Sequence, residues 1–357
     1  MTNKHKMSHH KPSQPKAADQ RERVLLVGNP NVGKSVLFNL LTKKYETVSN
    51  YPGTTVEVAE GTITIGRKKL PILDTPGINN LIPMSEDELV TRNILLEPYD
   101  HKVVQVADMK NLRRALLVTL QLAEMGVPLV LDLNMGDEGR SRGIFVDRKQ
   151  LSELLGVEVV ETVATRKSGL EELRKSLQNC RRATYKISYD ASIEEGARQI
   201  EGFLPDTHIP KRALALMLLA GDQNLASWLR PRMSADGLLA VEEIRRRTQS
   251  TYSTPLSYVL TRRRLAAANA ILQRVQTVKG EISQPWIDTL GRLMVHPVWG
   301  VPFLVAALYL TYKFVGEFGA GTAVDFLEGF LFDRYLNPFA TRLVEAAIPI
   351  PLLQELL

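Results

Sequence analysis

Residues 28–35 read Gly28-Asn29-Pro30-Asn31-Val32-Gly33-Lys34-Ser35, which is a Gly, four free positions and then Gly-Lys-Ser. The apolar residues 24–27 before this loop predict a buried strand, and the apolar residues at 36–41 after it predict a helix. Backbone N–H groups of such a loop and of the next helix bind phosphate. Lys34 would add a charge beside the β- and γ-phosphates, and the Ser35 hydroxyl would bind Mg²⁺. The loop therefore predicts a nucleoside triphosphate site.

The composition sets broad limits on the rest of the chain. A length of 357 residues allows two or three domains. The single Cys180 excludes an intrachain disulfide and indicates a reducing, cytoplasmic environment for most of the chain. The net charge of +6 is small, so an ordinary basic surface explains it and we expect no nucleic-acid partner.

Short apolar runs alternate with helical patterns over residues 23–183, after a polar tail over 1–22 that we expect to be disordered. This alternation predicts an α/β domain with a mostly parallel sheet wrapped by helices. The predicted strands are 24–27, 61–65, 70–74, 103–107, 129–134 and 157–162. The predicted helices are 35–42, 112–125, 148–155 and 170–178.

Residues 184–282 carry helical patterns without strand patterns, which predicts a small all-α domain. Two arginine triplets, 245–247 and 262–264, could face nucleic acid, but solvated helix faces are the expectation because no aromatic residues are interleaved with them. We expect residues 283–357 to form a membrane-associated helical segment, and the apolar run 298–315 predicts one transmembrane helix. By the positive-inside rule, the part before this helix would lie in the cytoplasm.

Two further motifs follow the phosphate loop in the order that a guanine-nucleotide domain requires. Asp74-Thr75-Pro76-Gly77 ends a predicted strand, where Asp74 could hold Mg²⁺ through water and the Gly77 N–H could meet the γ-phosphate. Before it, Gly53-Thr54-Thr55 lies in a loop, and a threonine there could bind Mg²⁺ only while the γ-phosphate is present. Thr55 is favoured over Thr54 because it directly precedes the alternating residues of the next strand.

The base would be recognised by two later motifs. Asn134-Met135-Gly136-Asp137 follows a predicted strand, and the Asp137 carboxylate could accept two hydrogen bonds that guanine offers and adenine does not. Asn134 would brace this loop and meet guanine N7. Val163-Ala164-Thr165 ends the next strand and would place the Ala164 N–H against guanine O6.

The residue after Gly77 is Ile78, where many small GTPases have a Gln that orients the attacking water. Intrinsic hydrolysis should then be slow unless backbone groups, a cation or a partner hold the water. Asn31 is a candidate ligand of a monovalent cation between the phosphates, and the alternative is that it only caps the loop locally.

These motifs resemble the FeoB family of bacterial ferrous-iron transporters, and they look like its five-motif G domain. The segment 213–222, ending in Leu-Leu-Ala-Gly-Asp, resembles the helical domain that follows, and 288–299 resembles the entry into the family's first membrane helix. The resemblance implies a GTPase that uses Mg²⁺ and K⁺, with Asn31 at the position associated with K⁺-stimulated hydrolysis. The chain departs from the family in having Val163 in place of a Ser and in stopping after one predicted membrane helix.

The resemblance implies a GTP-driven or GTP-gated switch of ferrous-iron uptake at the inner membrane, with the G domain in the cytoplasm. It would bind GTP and GDP. Its membrane part is expected on a partner chain or in a missing C-terminal region, so that this chain would be a split gene product, the product of a truncated gene or a fragment. A homo-oligomer is left open. The alternatives are a ribosome-associated RNA-binding GTPase and a truncated remnant that binds GTP without transport.

Overall fold

The computed structural model describes residues 22–42, 45–279 and 285–347. The chain forms two compact units, Met1–Ile282 and Ser283–Leu357. The tail predicted over 1–22 lies outside the described residues except at its end. There the prediction is wrong by one residue, because Glu22 begins the first strand.

The first unit contains a mixed sheet and helices that cover it. Its strands are Glu22–Gly28 (β1), Tyr45–Asn50 (β2), Glu57–Ile65 (β3), Lys68–Asp74 (β4), Asp100–Asp108 (β5), Pro128–Asn134 (β6), Ile144–Val146 (β7), Glu158–Glu161 (β8), Arg181–Arg182 (β9) and Gln276–Val278 (β10). Its helices are Lys34–Leu41 (α1), Glu86–Leu96 (α2), Leu112–Glu124 (α3), Gly136–Ser141 (α4), Arg148–Leu155 (α5), Leu170–Ser176 (α6), Ala191–Glu201 (α7), Lys211–Leu219 (α8), Gln223–Leu229 (α9), Ala235–Gln249 (α10) and Leu256–Val275 (α11).

The main sheet has the strand order β2-β3-β4-β1-β5-β6-β8, with β9 paired to β6. The central pairs β4-β1, β1-β5, β5-β6 and β6-β8 are parallel, and the pairs β2-β3, β3-β4 and β6-β9 are antiparallel. The predicted α/β fold is therefore confirmed. Because β1, β4 and β6 run the same way, their last residues, Gly28, Asp74 and Asn134, reach the same edge of the sheet.

The central strands are buried on both faces, which is why their sequences are almost continuously apolar. Leu25 and Val27 of β1 face α2 and α3, and Val24 and Leu26 face α1 and α6. The first of these two cores continues into α7, α8 and α11, so the helical region shares its apolar interior with the sheet. Alternate residues of β1 thus contribute to the apolar cores on the two faces of the sheet.

The predicted helical region is present over α7–α11, with two corrections. Its last described residues are not helical, because β10 pairs antiparallel with β7 of the nucleotide-binding region. The triplet 262–264 is not wholly solvated either, because Arg264 is 3% exposed and donates two hydrogen bonds to Glu124. Arg245 and Arg246 are paired with Glu242 and Glu243 on an exposed face, as expected of solvated arginines.

The second unit consists of the helices Pro285–Val295 (α12), Gly300–Tyr312 (α13), Val324–Phe326 (α14) and Asn337–Ala347 (α15), with π-helical stretches on either side of α14. By length and composition, none of the helices that the structure describes could cross a bilayer alone. The stretches Thr289–Val295 and Gly300–Glu317 pass that test only together, bent by 87°. The prediction of a single transmembrane helix over 298–315 is therefore wrong for the residues that the structure describes. The bend follows Pro297, which lacks an N–H, and the Gly300 N–H donates back to the His296 carbonyl at 2.7 Å.

Candidate functional site

The phosphate loop connects β1 to α1 in a backbone conformation that two residues make possible. Asn31 and Gly33 have positive φ angles of 63° and 88°. A Cβ on Gly33 would lie 2.5 Å from Nδ2 of Asn134, so a larger residue at this position would be both strained and blocked. The phosphate loop therefore depends on Gly33 for its backbone conformation and for the close contact with Asn134.

Lys34, Ser35 and Asp74 converge below this loop. The Lys34 ammonium is buried and lies 3.4 Å from the carbonyl oxygens of Gly28 and Asn29. Burial lowers the pKa of Lys34, and the Asp74 charge opposes that shift. Burial raises the pKa of Asp74, and a hydrogen bond from Ser35 and the charge of Lys34 oppose it. A cation and a carboxylate are thus paired at the carboxyl ends of β1 and β4.

This pair leaves one buried oxygen unsatisfied. Asp74 Oδ1 is buried and has no hydrogen-bond partner among the residues that the structure describes. An unpartnered carboxylate oxygen beside a serine hydroxyl is the oxygen donor set that Mg²⁺ takes beside bound phosphates. The residues present therefore fit Mg²⁺, with Ser35 and Asp74 as the groups that would hold it.

The segment after Asp74 is attached to the phosphate loop by backbone bonds. The N–H and the hydroxyl of Thr75 both donate to the Leu26 carbonyl, at 3.2 and 2.8 Å. The Ile78 N–H donates to the Gly28 carbonyl at 3.0 Å. A Cβ on Gly77 would lie 2.9 Å from Cα of Pro30, so the two loops are in close contact.

The loop that contains Gly53, Thr54 and Thr55 is folded on itself. The Thr54 hydroxyl donates to the Tyr51 carbonyl at 3.0 Å and accepts from the Val56 N–H at 3.3 Å. The exposed Thr55 hydroxyl donates to Glu86 at 3.2 Å. Thr55 is therefore held by the start of α2 here, and binding of Mg²⁺ by Thr55 would require this bond to break.

The loops at 134–137 and 163–165, here called the base-side loops, are held in place by hydrogen bonds of Asn134. Its Nδ2 donates to the Val32 carbonyl at 2.9 Å, and its Oδ1 accepts from the Thr162 hydroxyl and from the Ala164 N–H, at 3.2 and 3.1 Å. One side chain thus joins the phosphate loop to both base-side motifs. The Ala164 N–H points at Asn134, so its predicted contact with guanine O6 would have to displace or share this bond.

Asp137 follows Met135, which has a φ of 60°, and Gly136, at the start of α4. Its side chain is 25% exposed, and its Oδ2 lies 3.4 Å from Nε of Arg166. A partly exposed carboxylate at the start of this helix can accept hydrogen bonds from a ligand. Val163 and Thr165 flank Ala164. Val163 forms an isolated β-bridge with Ser168, and Thr165 lies in the short 3-10 helix Ala164–Arg166.

A buried carboxylate lies behind these loops that the motifs did not indicate. Asp132 of β6 is fully buried, accepts from the Thr162 hydroxyl at 3.0 Å, and has no partner for Oδ1 within the described residues. Burial raises its pKa to about 7. Asp132 therefore titrates next to the threonine that braces Asn134.

Sequence reasoning also missed the residues that hold the segment 77–84. The buried Glu88 carboxylate accepts from the N–H groups of Asn79 and Asn80 and of Met84, at 3.1, 3.2 and 2.9 Å. Four residues later on the same helix, Arg92 forms a buried ion pair with Asp222, at 2.6 Å. The only local signal was the spacing Ser85-x-x-Glu88, which is typical of a helix start, and the Glu88 N–H does donate to the Ser85 hydroxyl at 3.3 Å.

Comparison with known proteins agrees with this arrangement. Residues 22–177 match the family model of ferrous iron transport protein B, and residues 189–277 match that of the FeoB cytosolic helical domain. The Fe(2+) transporter FeoB of Legionella pneumophila strain Paris is 30% identical over 314 residues, which are 85% of this chain and 40% of that protein. That of Staphylococcus aureus strain MSSA476 is 27% identical over 345 residues, 94% of this chain and 51% of that protein.

Solved structures give the same result for the first unit. The cytosolic domain of L. pneumophila FeoB has a TM-score of 0.64 at 30% identity, covering 71% of this chain and 99% of that one. A GDP-bound mutant of S. thermophilus NFeoB has a TM-score of 0.63 at 31% identity, covering 72% and 100%. The chain spans about 40% to half of the length of these two curated relatives.

Proposed function

Because this chain belongs to the FeoB family of ferrous iron transport proteins, we propose that it binds and hydrolyses GTP as the nucleotide switch of an Fe²⁺ uptake system. The chain carries the family's P-loop GTPase domain and helical domain. The observation that carries the proposal is the convergence of Lys34, Ser35 and Asp74 below the phosphate loop, with Asn134 joining that loop to the base-side motifs.

The phosphates would be bound by residues 28–35 and 74–77, and Ser35 and Asp74 would hold Mg²⁺. The metal would neutralise charge on the β- and γ-oxygens. Lys34 would exchange its contacts with the loop carbonyls for the phosphates. The Gly77 N–H would meet the γ-phosphate, and Thr55 would join the metal after leaving Glu86. The Gly53-Thr54-Thr55 loop would thereby respond to the γ-phosphate.

The base would be selected by Asp137, supported by Asn134, Met135 and Gly136 and by residues 163–165. Asn31 would bind K⁺ beside the phosphates, and its positive φ already turns the loop at this residue. Ferrous-iron transport would require a membrane part beyond these domains, and the nucleotide-binding region would lie in the cytoplasm. Four of the six arginines in the two triplets are paired with carboxylates of this chain and so give no support to an RNA-binding GTPase: Arg245, Arg246, Arg263 and Arg264.

The test is nucleotide hydrolysis by the purified full chain with Mg²⁺ and K⁺. GTP should be hydrolysed to GDP and phosphate, and ATP should not. Asp137→Asn should shift preference toward xanthosine triphosphate, because xanthine presents a carbonyl where guanine presents an amino group. Unchanged GTP affinity in Asp137→Asn would refute the guanine assignment.

The role in iron uptake needs a separate measurement in cells. Lys34→Ala in the host gene should lower the uptake of radiolabelled Fe²⁺. Glu243→Ala, on an exposed face of α10, is the control and should not change it. Equal uptake by Lys34→Ala and the unmutated strain would contradict the coupling of GTP to iron.

A further inference from the structure

The residue that stands where many GTPases have a catalytic Gln cannot contact the reacting groups. Ile78 is fully buried and belongs to the core between the sheet and α2. The attacking water must then be held by other groups, among which are the backbone groups of the segment that starts at Gly77. The position of that backbone relative to the phosphate loop therefore matters for hydrolysis.

We propose that Asn79 and Arg114 are positioning residues for GTP hydrolysis, which fix the segment 77–79 against the phosphate loop. The Asn79 Oδ1 atom accepts three hydrogen bonds: from Nε and Nη2 of Arg114 at 2.9 and 2.7 Å, and from Nδ2 of Asn29 at 3.2 Å. One amide oxygen thus joins helix α3, the phosphate loop and the segment after Gly77. This inference rests on the proposed GTP hydrolysis and names residues that control its rate.

Asn29 extends the same connection to the backbone of Ile78. Its buried side chain donates from Nδ2 to the Ile78 carbonyl at 2.9 Å, while the Ile78 N–H donates to the Gly28 carbonyl at 3.0 Å. The Ile78 residue is therefore bound to the phosphate loop through both its N–H and its carbonyl. Removal of the Asn79 side chain would break both bonds from Arg114 and one of the two bonds from Asn29. The bond from Asn29 to the Ile78 carbonyl would remain.

Arg114 acts through Asn79. Its Nε and Nη2 atoms both donate to the same oxygen, which fixes the plane of the guanidinium. The neighbouring Arg113 is exposed on the same helix turn and has no hydrogen bond or ion pair within the residues that the structure describes. Arg113 is therefore a matched control for charge and helix position.

The experiment measures kcat, KM and GTP affinity for the full chain with Mg²⁺ and K⁺. Asn79→Ala and Arg114→Ala should each lower kcat roughly tenfold or more, since small misplacements of reacting groups cost this much or more. GTP affinity should change little. The double variant should be no slower than either single variant, because both changes break the same connection. Asn79→Asp keeps an acceptor oxygen and should recover rate relative to Asn79→Ala, and Arg113→Ala should match the unmutated chain.

Amide hydrogen exchange of the full chain with Mg²⁺ and GDP gives a readout that does not require hydrolysis. Exchange over residues 77–84 should be faster in Asn79→Ala and Arg114→Ala and unchanged in Arg113→Ala. If the unmutated chain hydrolyses no GTP, the proposed function is wrong. Hydrogen exchange would then still show whether Asn79 and Arg114 hold the segment 77–84 in place. Full activity of Asn79→Ala, losses that multiply in the double variant, or unchanged exchange would each overturn the inference. A slow Arg114→Ala beside a fully active Asn79→Ala would instead indicate direct contact of Arg114 with the phosphates.

Discussion

Replacing Asp222 with Asn should strongly destabilise the first unit, because Asp222 neutralises a buried arginine. Asp222 and Arg92 are each 1% exposed in their side chains and lie 2.6 Å apart. Burial lowers the pKa of Arg92, and the Asp222 charge opposes that shift. Removal of one partner of such a pair costs about 3–5 kcal/mol, since the remaining charge stays buried without compensation. That is a large part of the ~5–15 kcal/mol by which a domain is stable.

The substitution separates this charge effect from the second role of Asp222. Asp222 Oδ1 also accepts from the Leu225 N–H at 2.9 Å and so caps α9. Asparagine caps helices about as well as aspartate, so Asp222→Asn should keep the cap through its amide oxygen. It removes the charge and replaces the oxygen that accepts from Arg92 with an N–H donor. Adding Arg92→Met should recover most of the loss, because no buried charge then remains.

The assay is equilibrium urea unfolding of the full chain, followed by circular dichroism, with the free energy of unfolding taken from the midpoint and slope. Asp206→Asn is the control. That carboxylate is 98% exposed beside Lys211, and its loss should leave the midpoint unchanged. A loss below about 1 kcal/mol in Asp222→Asn, or a double variant no more stable than the single one, would refute the reasoning.

Three further predictions concern the nucleotide site. Asn31→Ala should abolish the difference between K⁺ and Na⁺ in GTP hydrolysis while leaving GTP binding nearly intact, and equal rates in the two salts for the unmutated chain would contradict K⁺ at Asn31. Gly33→Ala should lower GTP affinity at least tenfold in a titration with fluorescent nucleotide, because its Cβ would collide with Asn134 at a φ of 88°. Folding raises the pKa of Asp132 from 3.8 to about 7, so between these pH values the folded chain binds a proton that the unfolded chain releases. The free energy of unfolding should therefore fall as the pH rises through this range, by on the order of 1 kcal/mol per pH unit. Asp132→Asn should remove this part of the pH dependence in urea unfolding, and identical pH profiles would disprove it.

The sequence predicted those elements whose pattern is dictated by local burial. Residues 24–27 are apolar throughout because β1 is covered on both faces, and the pattern indicated a strand directly. Helix α2 was missed because its buried face includes Glu88 and Arg92, which look like surface residues. Their burial is explained by partners elsewhere in the fold, and for Arg92 that partner is 130 residues away. Strand β2 was missed for a different reason, since four of its six residues are polar and it has no apolar run.

The candidate site was predictable in its order but less so in its contacts. The motifs at 28–35, 74–77 and 134–137 follow strands that reach one edge of the sheet, so their convergence follows from the fold. The partner of Thr55 is Glu86 and the partner of the Ala164 N–H is Asn134, and neither could be read from spacing. Likewise, Asn79 and Arg114 are 35 residues apart and meet because α3 lies beside the segment that follows Gly77. Motifs specify which groups are needed, whereas the bonds between motifs depend on tertiary packing.

The small ribbon of β7 and β10 has a mechanical consequence. Val278 pairs with Ile144, and the Lys279 N–H donates to the Gly143 carbonyl at 2.9 Å, close after the base-side helix α4. Tension on the chain beyond Lys279 would act on neighbouring ends of the two strands. It would therefore peel the ribbon one hydrogen bond at a time, each worth about 1 kcal/mol, and would not shear all of them together. The first bond to break would be the one between Lys279 and Gly143, which lies close after the helix that contains Asp137.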